Sequence, residues 1–221
     1  MSDYPSYEIY NKLYARYVYK RPVSELVDIA GDLNNNIVID LCGGQGRLAC
    51  YVAENFKADV TLVDQSIDML PNEDDLPYGI KRVKSDIESF ITNSVEKTFD
   101  VVFCRQAINY WFRNQAIEWL SKRMKKGGKF IFNTFMYKPS EKPMVKEYEY
   151  TSPQGTWNYA ETSWIIGETV HHIQVCEGME PHHTSFKFLD MHKTTETLKG
   201  TGFEVKIHPD KKTIIYECTK K

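Results

Sequence analysis

Residues 37–48 read IVIDLCGGQGRL: an apolar run rich in β-branched residues ends in an acid, enters a cluster of glycines and resumes as an amphipathic segment. No other stretch constrains the fold as much. Ile37–Leu41 has the pattern of a buried strand and Arg47–Asn55 that of a helix, so the glycines between them form a tight strand-to-helix turn. Such a turn lets a ligand approach the backbone and offers it helix N-terminal N–H groups. In open α/β sheets, ligands bind at this end of the strands.

Which ligand the turn suits is argued from the acids around it. Gly44-Gln45-Gly46-Arg47-Leu48-Ala49 fits the dinucleotide fingerprint with Ala in last place, and Asp64 closes the next strand near the spacing of a ribose-binding acid. Asp40, however, ends the first strand just before the glycines, where a carboxylate repels a pyrophosphate and attracts a ligand carrying positive charge. Asp86 follows the third strand at the same edge of the sheet, where it can accept a hydrogen bond from an exocyclic amine. Asp40 and Asp86 therefore disfavour an NAD-linked dehydrogenase.

The rest of the chain supplies the sheet that this turn needs. Val60–Val63, Lys81–Lys84, Phe99–Cys104 and Lys129–Asn133 read as strands, with a helix over Gln115–Lys125 capped by Asn114 and a turn at Gly127-Gly128. Strands alternating with helices imply crossover connections and a parallel sheet covered on both faces. After Phe135 the pattern changes to three strands joined by turns: WNYAETSWII, TVHHIQVCE and HHTSFKFLD. A helix around KTTETLKG and two strands, Phe203–Ile207 and Thr213–Cys218, close the chain. At 221 residues with 42% hydrophobic content, the sequence suits one domain with a sizeable core.

Charge and cysteine content narrow the function classes. A net charge of -2 without a long basic run gives no broad nucleic-acid footprint. The polar, Tyr-rich N-terminus lacks a signal-peptide core, and no segment has the length of a membrane span, so the expectation is a soluble, cytoplasmic protein. Five scattered cysteines without a CxxC pair suggest neither a disulfide framework nor a zinc site. No metal is expected.

With these residues in place, the chain resembles the class I S-adenosylmethionine-dependent methyltransferases, of the small-molecule, glycine N-methyltransferase-like kind. Asp40, Gly44 and Gly46 match the acid and alternate glycines of the family's first motif, with Cys42 where the first glycine usually stands. The resemblance implies a Rossmann-like, doubly wound, seven-stranded and mostly parallel α/β sheet whose last strand is antiparallel. It implies S-adenosyl-L-methionine as cofactor, with Asp64 on the ribose, Gln65 beside the adenosine, Asp86 on the adenine amino group and Ile87 against the ring. Arg105 and Gln106, in FDVVFCRQAINYW, would lie near the methionine end. LSKRMKKGGKFIF resembles the family's usual helix, glycine turn and fifth strand.

Two segments outside this core carry further expectations. Tyr4, Tyr7, Tyr10, Tyr14 and Tyr17 share one helical face, and residues 1–30 are expected to form a helical lid, with Tyr14 and Arg21 reaching the methionine end of the cofactor. Residues 31–136 would form the cofactor-binding core, 137–190 a β-rich substrate cover and 191–221 the closing helix and strands. The cover carries the adjacent pairs His171-His172 and His182-His183; within a strand each pair points to opposite faces, so at most one of each meets a common pocket. His172 and His183 are the candidates for a general base. The expected activity is methyl transfer to N or O of a small-molecule acceptor, in a possible homodimer. A catalytically silent, cofactor-binding scaffold is the alternative from another class.

Overall fold

The computed structural model describes residues 23–77, 79–94, 98–135, 138–152, 155–209 and 213–221. The chain enters with helix α1 (Ser24–Ala30), strand β1 (Ile37–Leu41), helix α2 (Arg47–Asn55), strand β2 (Asp59–Asp64) and strand β3 (Lys81–Lys84). Helix α3 (Ile87–Asn93), strand β4 (Phe99–Cys104), helix α4 (Asn114–Arg123) and strand β5 (Met124–Phe135) follow. Strands β6 (Met144–Ser152), β7 (Gly155–Ile166), β8 (Thr169–Cys176) and β9 (His182–Lys187) form an inserted unit, before helix α5 (Met191–Gly200) and strands β10 (Phe203–Pro209) and β11 (Thr213–Lys220).

The main sheet has seven strands in the order β3-β2-β1-β4-β5-β11-β10. Strands β1 to β5 run parallel, whereas β11, the last, is antiparallel to both of its neighbours. This is the expected doubly wound, Rossmann-like α/β sheet. Its central strands β1, β2 and β4 are buried on both faces, which explains their near-continuous apolar sequences. Val38, Val60, Leu62, Val101 and Phe103 pack on one face with Leu26 and Val27 of α1 and Leu48, Ala49 and Val52 of α2. Ile39, Leu41, Val102 and Phe130 pack on the other with Ile87 and Ile91 of α3, Ile117 and Leu120 of α4 and Leu198 of α5. Even one methylene removed from such a close-packed layer is felt.

Three expectations need correction. The inserted unit has four strands, in the order β6-β7-β8-β9, not three: MVKEYEYTS pairs antiparallel with β7. Its Glu147-Tyr148-Glu149 alternation is the period of a half-buried strand, and the charges concealed it. Gly127-Gly128 does not end one element and start another; it lies inside β5, where the register with β4 shifts between Phe99 and Val101. Gly127 adopts φ +79° there, and a Cβ on Gly128 would stand 2.9 Å from the backbone oxygens of Asp100 and Lys125. Asn114 is not the cap of α4 but its first residue, and its Oδ1 accepts from Thr197 Oγ1 of α5 at 3.3 Å.

The inserted sheet is attached to the carboxyl edge of the main sheet. Phe186 of β9 packs edge-on against Tyr110, in the turn after β4, and stacks on Phe135 at the end of β5, each at 5.7 Å between centroids. Asn109, 4% exposed, donates its Nδ2 to Lys187 O at 2.8 Å and accepts from Thr134 Oγ1 of β5 at 2.9 Å. One side chain thereby ties the exit of β9 to both the β4 turn and the end of β5. Among the described residues, no helix is long and apolar enough to cross a membrane.

Candidate active site

The glycine turn is built around two buried carboxylates. Asp40, at 1% exposure, lies on the α2 side of β1 and accepts the backbone N–H of Ala49 at 3.2 Å through Oδ2. Among the described residues its buried Oδ1 has no hydrogen-bond partner. Burial pushes the Asp40 carboxyl up to about 7, against the opposing pull of the Ala49 N–H and the Arg105 charge. An unpaired buried carboxylate oxygen is costly and calls for a donor or a cation.

Asp64 holds the turn from the next strand. Its Oδ2 accepts Gly44 N–H and its Oδ1 accepts Ser66 N–H, both at 2.9 Å. Burial raises its carboxyl above the ordinary value, while the Ser66, Gly44 and Gln65 N–H groups draw it back down. The turn itself admits few other residues. A Cβ on Gly43 would collide with Leu62 Cδ1 and come within 2.6 Å of Asp40 Oδ2. Gly44 and Gly46 have φ of +52° and +71°, in the left-handed region that favours glycine. Cys42 shares that region at φ +54°, which costs a side-chain-bearing residue about 1–2 kcal/mol.

The other residues singled out in the sequence occupy definite places on the same edge. Gln65 is exposed immediately beyond β2. Asp86 is an exposed N-cap whose Oδ1 accepts Ser89 N–H at 2.9 Å, and that bond holds its carboxyl below the ordinary value. Ile87 is buried at the start of α3. Arg105 follows β4 close enough for its charge to act on Asp40. Gln106, at φ +60°, donates its backbone N–H to Asn133 Oδ1 at 2.8 Å. The structure thus brings Asp40, Gly44, Gly46, Asp64 and Arg105 together, with Gln65, Asp86, Ile87 and Gln106 along the adjoining strand ends. Tyr14 and Arg21 lie outside the described residues.

The inserted sheet separates the two histidine candidates. Its register puts Tyr159, Glu161, Ser163, Ile165, Val170, His172, Gln174, His182 and Phe186 on one face. That face contacts the core through Phe186. His172 Nδ1 shares a 2.7 Å hydrogen bond with Ser163 Oγ, and Tyr148 donates its hydroxyl to Glu161 Oε2 at 3.1 Å. His183 lies on the opposite face, stacked with Trp164 and His171 at centroid distances of 6.4 and 5.6 Å. Among the described residues, no group of three or more metal-ligating side chains converges.

Sequence reasoning passed over Gly43, Ser66, Asn109 and Asn133, and met Ala49 only as the last place of the dinucleotide fingerprint. Gly43 was visible as a glycine beside the motif, but its crowding against Leu62 comes from the neighbouring strand. Asn109 and Asn133 were detectable only as polar residues inside otherwise apolar runs, which is where buried polar groups with structural partners occur.

The geometry agrees with the relatives that the chain has. A family profile for the methyltransferase domain matches residues 32–180. Solved structures similar to this one include CcbJ, a methyltransferase from Streptomyces caelestis, with TM-score 0.76, 16% identity and coverage of 96% of this chain and 97% of that one. They also include CalS10, an amino pentose methyltransferase from Micromonospora echinaspora solved with S-adenosylmethionine bound (TM-score 0.73, 15% identity, 93% and 95% coverage). A third is KedS8, a sugar N-methyltransferase from a Streptoalloteichus species (0.72, 14%, 100% and 96%). A sequence search of curated proteins finds no match.

Proposed function

Because the chain belongs to the methyltransferase domain family, we propose that it transfers the methyl group of S-adenosylmethionine to the nitrogen of a small, amine-bearing acceptor of the amino-sugar type. The cofactor fits the residues present. Among the described residues, Asp40 Oδ1 is a buried carboxylate oxygen without a hydrogen-bond partner, suited to a ligand that brings a positive charge and N–H donors, and Gly44 and Gly46 carry the turn past it at positive φ. Asp40, the glycine turn and Arg105 would hold the methionine end; Asp64, Gln65, Asp86 and Ile87 would hold the nucleoside.

The cofactor supplies an activated methyl on a sulfonium, so transfer is an in-line displacement that depends on alignment and exclusion of water. The protein's part is therefore to present the acceptor. The observation that carries the acceptor reading is the polar row on the core-facing side of the inserted sheet, where His172 and Ser163 stand one same-face position from the Phe186 pair and Glu161 and Tyr148 follow further along. Glu161 offers carboxylate oxygens to an ammonium or hydroxyl. If His172 donates Nδ1–H to Ser163, its Nε2 is the ring atom that can accept a proton from an amine. Sugar N-methyltransferases among the structural neighbours support nitrogen as the target.

The test has two parts. Calorimetry with S-adenosylmethionine and, separately, NAD is expected to show binding of the former alone. A panel of amino sugars and their hydroxyl counterparts, followed by release of S-adenosylhomocysteine, is expected to show turnover with amines. Turnover only with the hydroxyl series would replace N by O as the target and overturn the amine assignment.

A further inference from the structure

The position where the glycine motif departs from its family is occupied by a thiol that touches a second thiol. Cys42 stands in the turn at φ +54°, half-buried and packed against the core cluster that contains Cys104. Cys104 stands close enough to act on the Cys42 thiol. Cys104, fully buried at the end of β4, also receives Trp111 Nε1–H on its sulfur at 3.4 Å, which fixes where that sulfur points. All five cysteines are free, yet only these two are brought together by adjacent strand ends. Asp40 pairs with Phe103 in the β1–β4 ladder. Continued by one residue, the ladder sets Leu41 opposite Cys104, and Cys42 is the next residue; neighbouring strands lie about 4.8 Å apart, within the roughly 4.4–6.8 Å between α-carbons that a disulfide spans.

We propose that Cys42 and Cys104 form an oxidisable dithiol at the floor of the cofactor cradle, and that closing it to a disulfide weakens S-adenosylmethionine binding. The consequence for affinity rests on the cofactor reading above. With hydrogen peroxide as oxidant, the sulfur of Cys42, the more accessible of the two, attacks a peroxide oxygen, forming a sulfenic acid and releasing one water. The sulfur of Cys104 then displaces the sulfenic oxygen: the S–S bond forms, the S–O bond breaks and a second water leaves. Two thiols give up two electrons and two protons, and peroxide is reduced to two waters.

The linkage reaches the cofactor site through the turn. A sulfur–sulfur bond of about 2.05 Å is shorter than any contact between two thiols, so closure draws Cys42 toward β4. The Gly43-Gly44 backbone that follows it presents Gly44 N–H to Asp64 and runs close beside Leu62 and Asp40, so that a Cβ on Gly43 would collide with both. A shift of about 1 Å in a positioning turn is enough to lower function by an order of magnitude or more. The Cys104 contact and burial also hold the Cys42 thiol well above its ordinary range, so the thiolate is scarce near neutrality and the reaction quickens as pH rises.

The experiment treats the full chain with hydrogen peroxide, with and without saturating S-adenosylmethionine, and follows intact mass, a non-reducing peptide map and calorimetric affinity for the cofactor. The expected result is a loss of about 2 Da, a linked Cys42–Cys104 peptide, roughly tenfold or greater weakening of binding that dithiothreitol reverses, and slower linkage when the cofactor is already bound. Cys104→Ser is expected to keep its starting affinity through the same treatment. A map without the linked peptide overturns the dithiol, and linked protein with unchanged affinity overturns its effect. Reduced protein that does not bind the cofactor overturns the cofactor reading and the affinity effect with it, while the map alone decides the linkage.

Discussion

The two sheets of this molecule place polar groups in opposite ways. In the main sheet, charge is driven to the strand ends and buried there: Asp40 is 1% exposed and Asp64 is tied by two backbone N–H groups. In the inserted sheet, polar residues share a face with Ile165, Val170 and Phe186 and find one another, Tyr148 with Glu161 and Ser163 with His172, around a small buried centre of Tyr159 and Cys176. A parallel sheet buried on both faces leaves room for ligands only at its edge. A one-sided antiparallel sheet can vary a whole surface without touching its ladder. The cradle and the cover should therefore respond to substitution differently, the first in cofactor binding and stability, the second in acceptor turnover.

The largest effect is expected at Asp40, as stability rather than activity. Its folded-state pKa, about 7, lies above the ordinary 3.8, so the fold binds its proton more tightly than the unfolded chain does. The contribution to stability is present below about pH 4 and is lost as pH rises through 7. Each tenfold difference in proton affinity between the folded and unfolded chain is worth about 1.4 kcal/mol, so ionisation costs the cofactor-free fold up to about 4 kcal/mol. Asp40→Asn is expected to stabilise the cofactor-free protein in urea melts more at pH 8 than at pH 5, while weakening S-adenosylmethionine binding. A gain equal at both pH values would mean that Asp40 is not the buried charge the geometry describes.

At Asp64 the expected effect is in binding. Asn at this position keeps the shape but turns one acceptor into a donor facing Gly44 or Ser66 N–H, and each buried group left unpaired costs about 1–3 kcal/mol. Cofactor affinity is expected to fall roughly 10- to 100-fold in Asp64→Asn, and Asp64→Ala should do no better. Calorimetric values within twofold of the parent would break the assignment.

In the cover, the two histidines sharpen the comparison. His172→Ala is expected to lower turnover about tenfold or more while cofactor affinity stays within twofold. His183→Ala, on the Trp164 face, is expected to leave both unchanged. Equal losses in the two variants would place the acceptor elsewhere than on the core-facing side.

The contrast also explains what the sequence disclosed. Strands β1 and β4 and helix α2 were readable to the residue, because buried parallel strands and an amphipathic helix carry their periodicity in the chain itself; β3, an exposed edge strand, was matched on a weaker signal. The identity of Asp40, Gly44, Gly46 and Asp64 as a set was legible because strand ends and motif spacing fix them locally. That Asp40 retains an unpaired oxygen was not, since it depends on how Ala49 and Arg105 approach from other elements. In the cover, side-chain alternation showed that His171 and His172 diverge, but which one faces the core depends on Phe186 meeting Tyr110 and Phe135. Strand β6 escaped notice because the charges of Glu147 and Glu149 interrupt its apolar pattern. Contacts between elements far apart in sequence, such as Asn109 with Lys187, leave no mark in any window of sequence.

That last contact carries the smallest expected effect and the most direct test of how the two sheets cooperate. Asn109→Ala removes a donor to Lys187 O and an acceptor for Thr134 Oγ1, leaving both partners to water or to nothing. The cost of about 1–2 kcal/mol should fall on the attachment of β9 rather than on the main sheet, whose ladders do not pass through Asn109. Hydrogen exchange is expected to quicken several-fold over residues 184–188 while β1, β4 and β5 keep their protection. With an acceptor in hand, KM should rise by a few-fold at nearly constant cofactor affinity, because the cover would sit less firmly over the edge where the methyl is presented. Uniform loss of protection across both sheets would show instead that Asn109 supports the fold as a whole, and that the cover and the cradle behave as one unit.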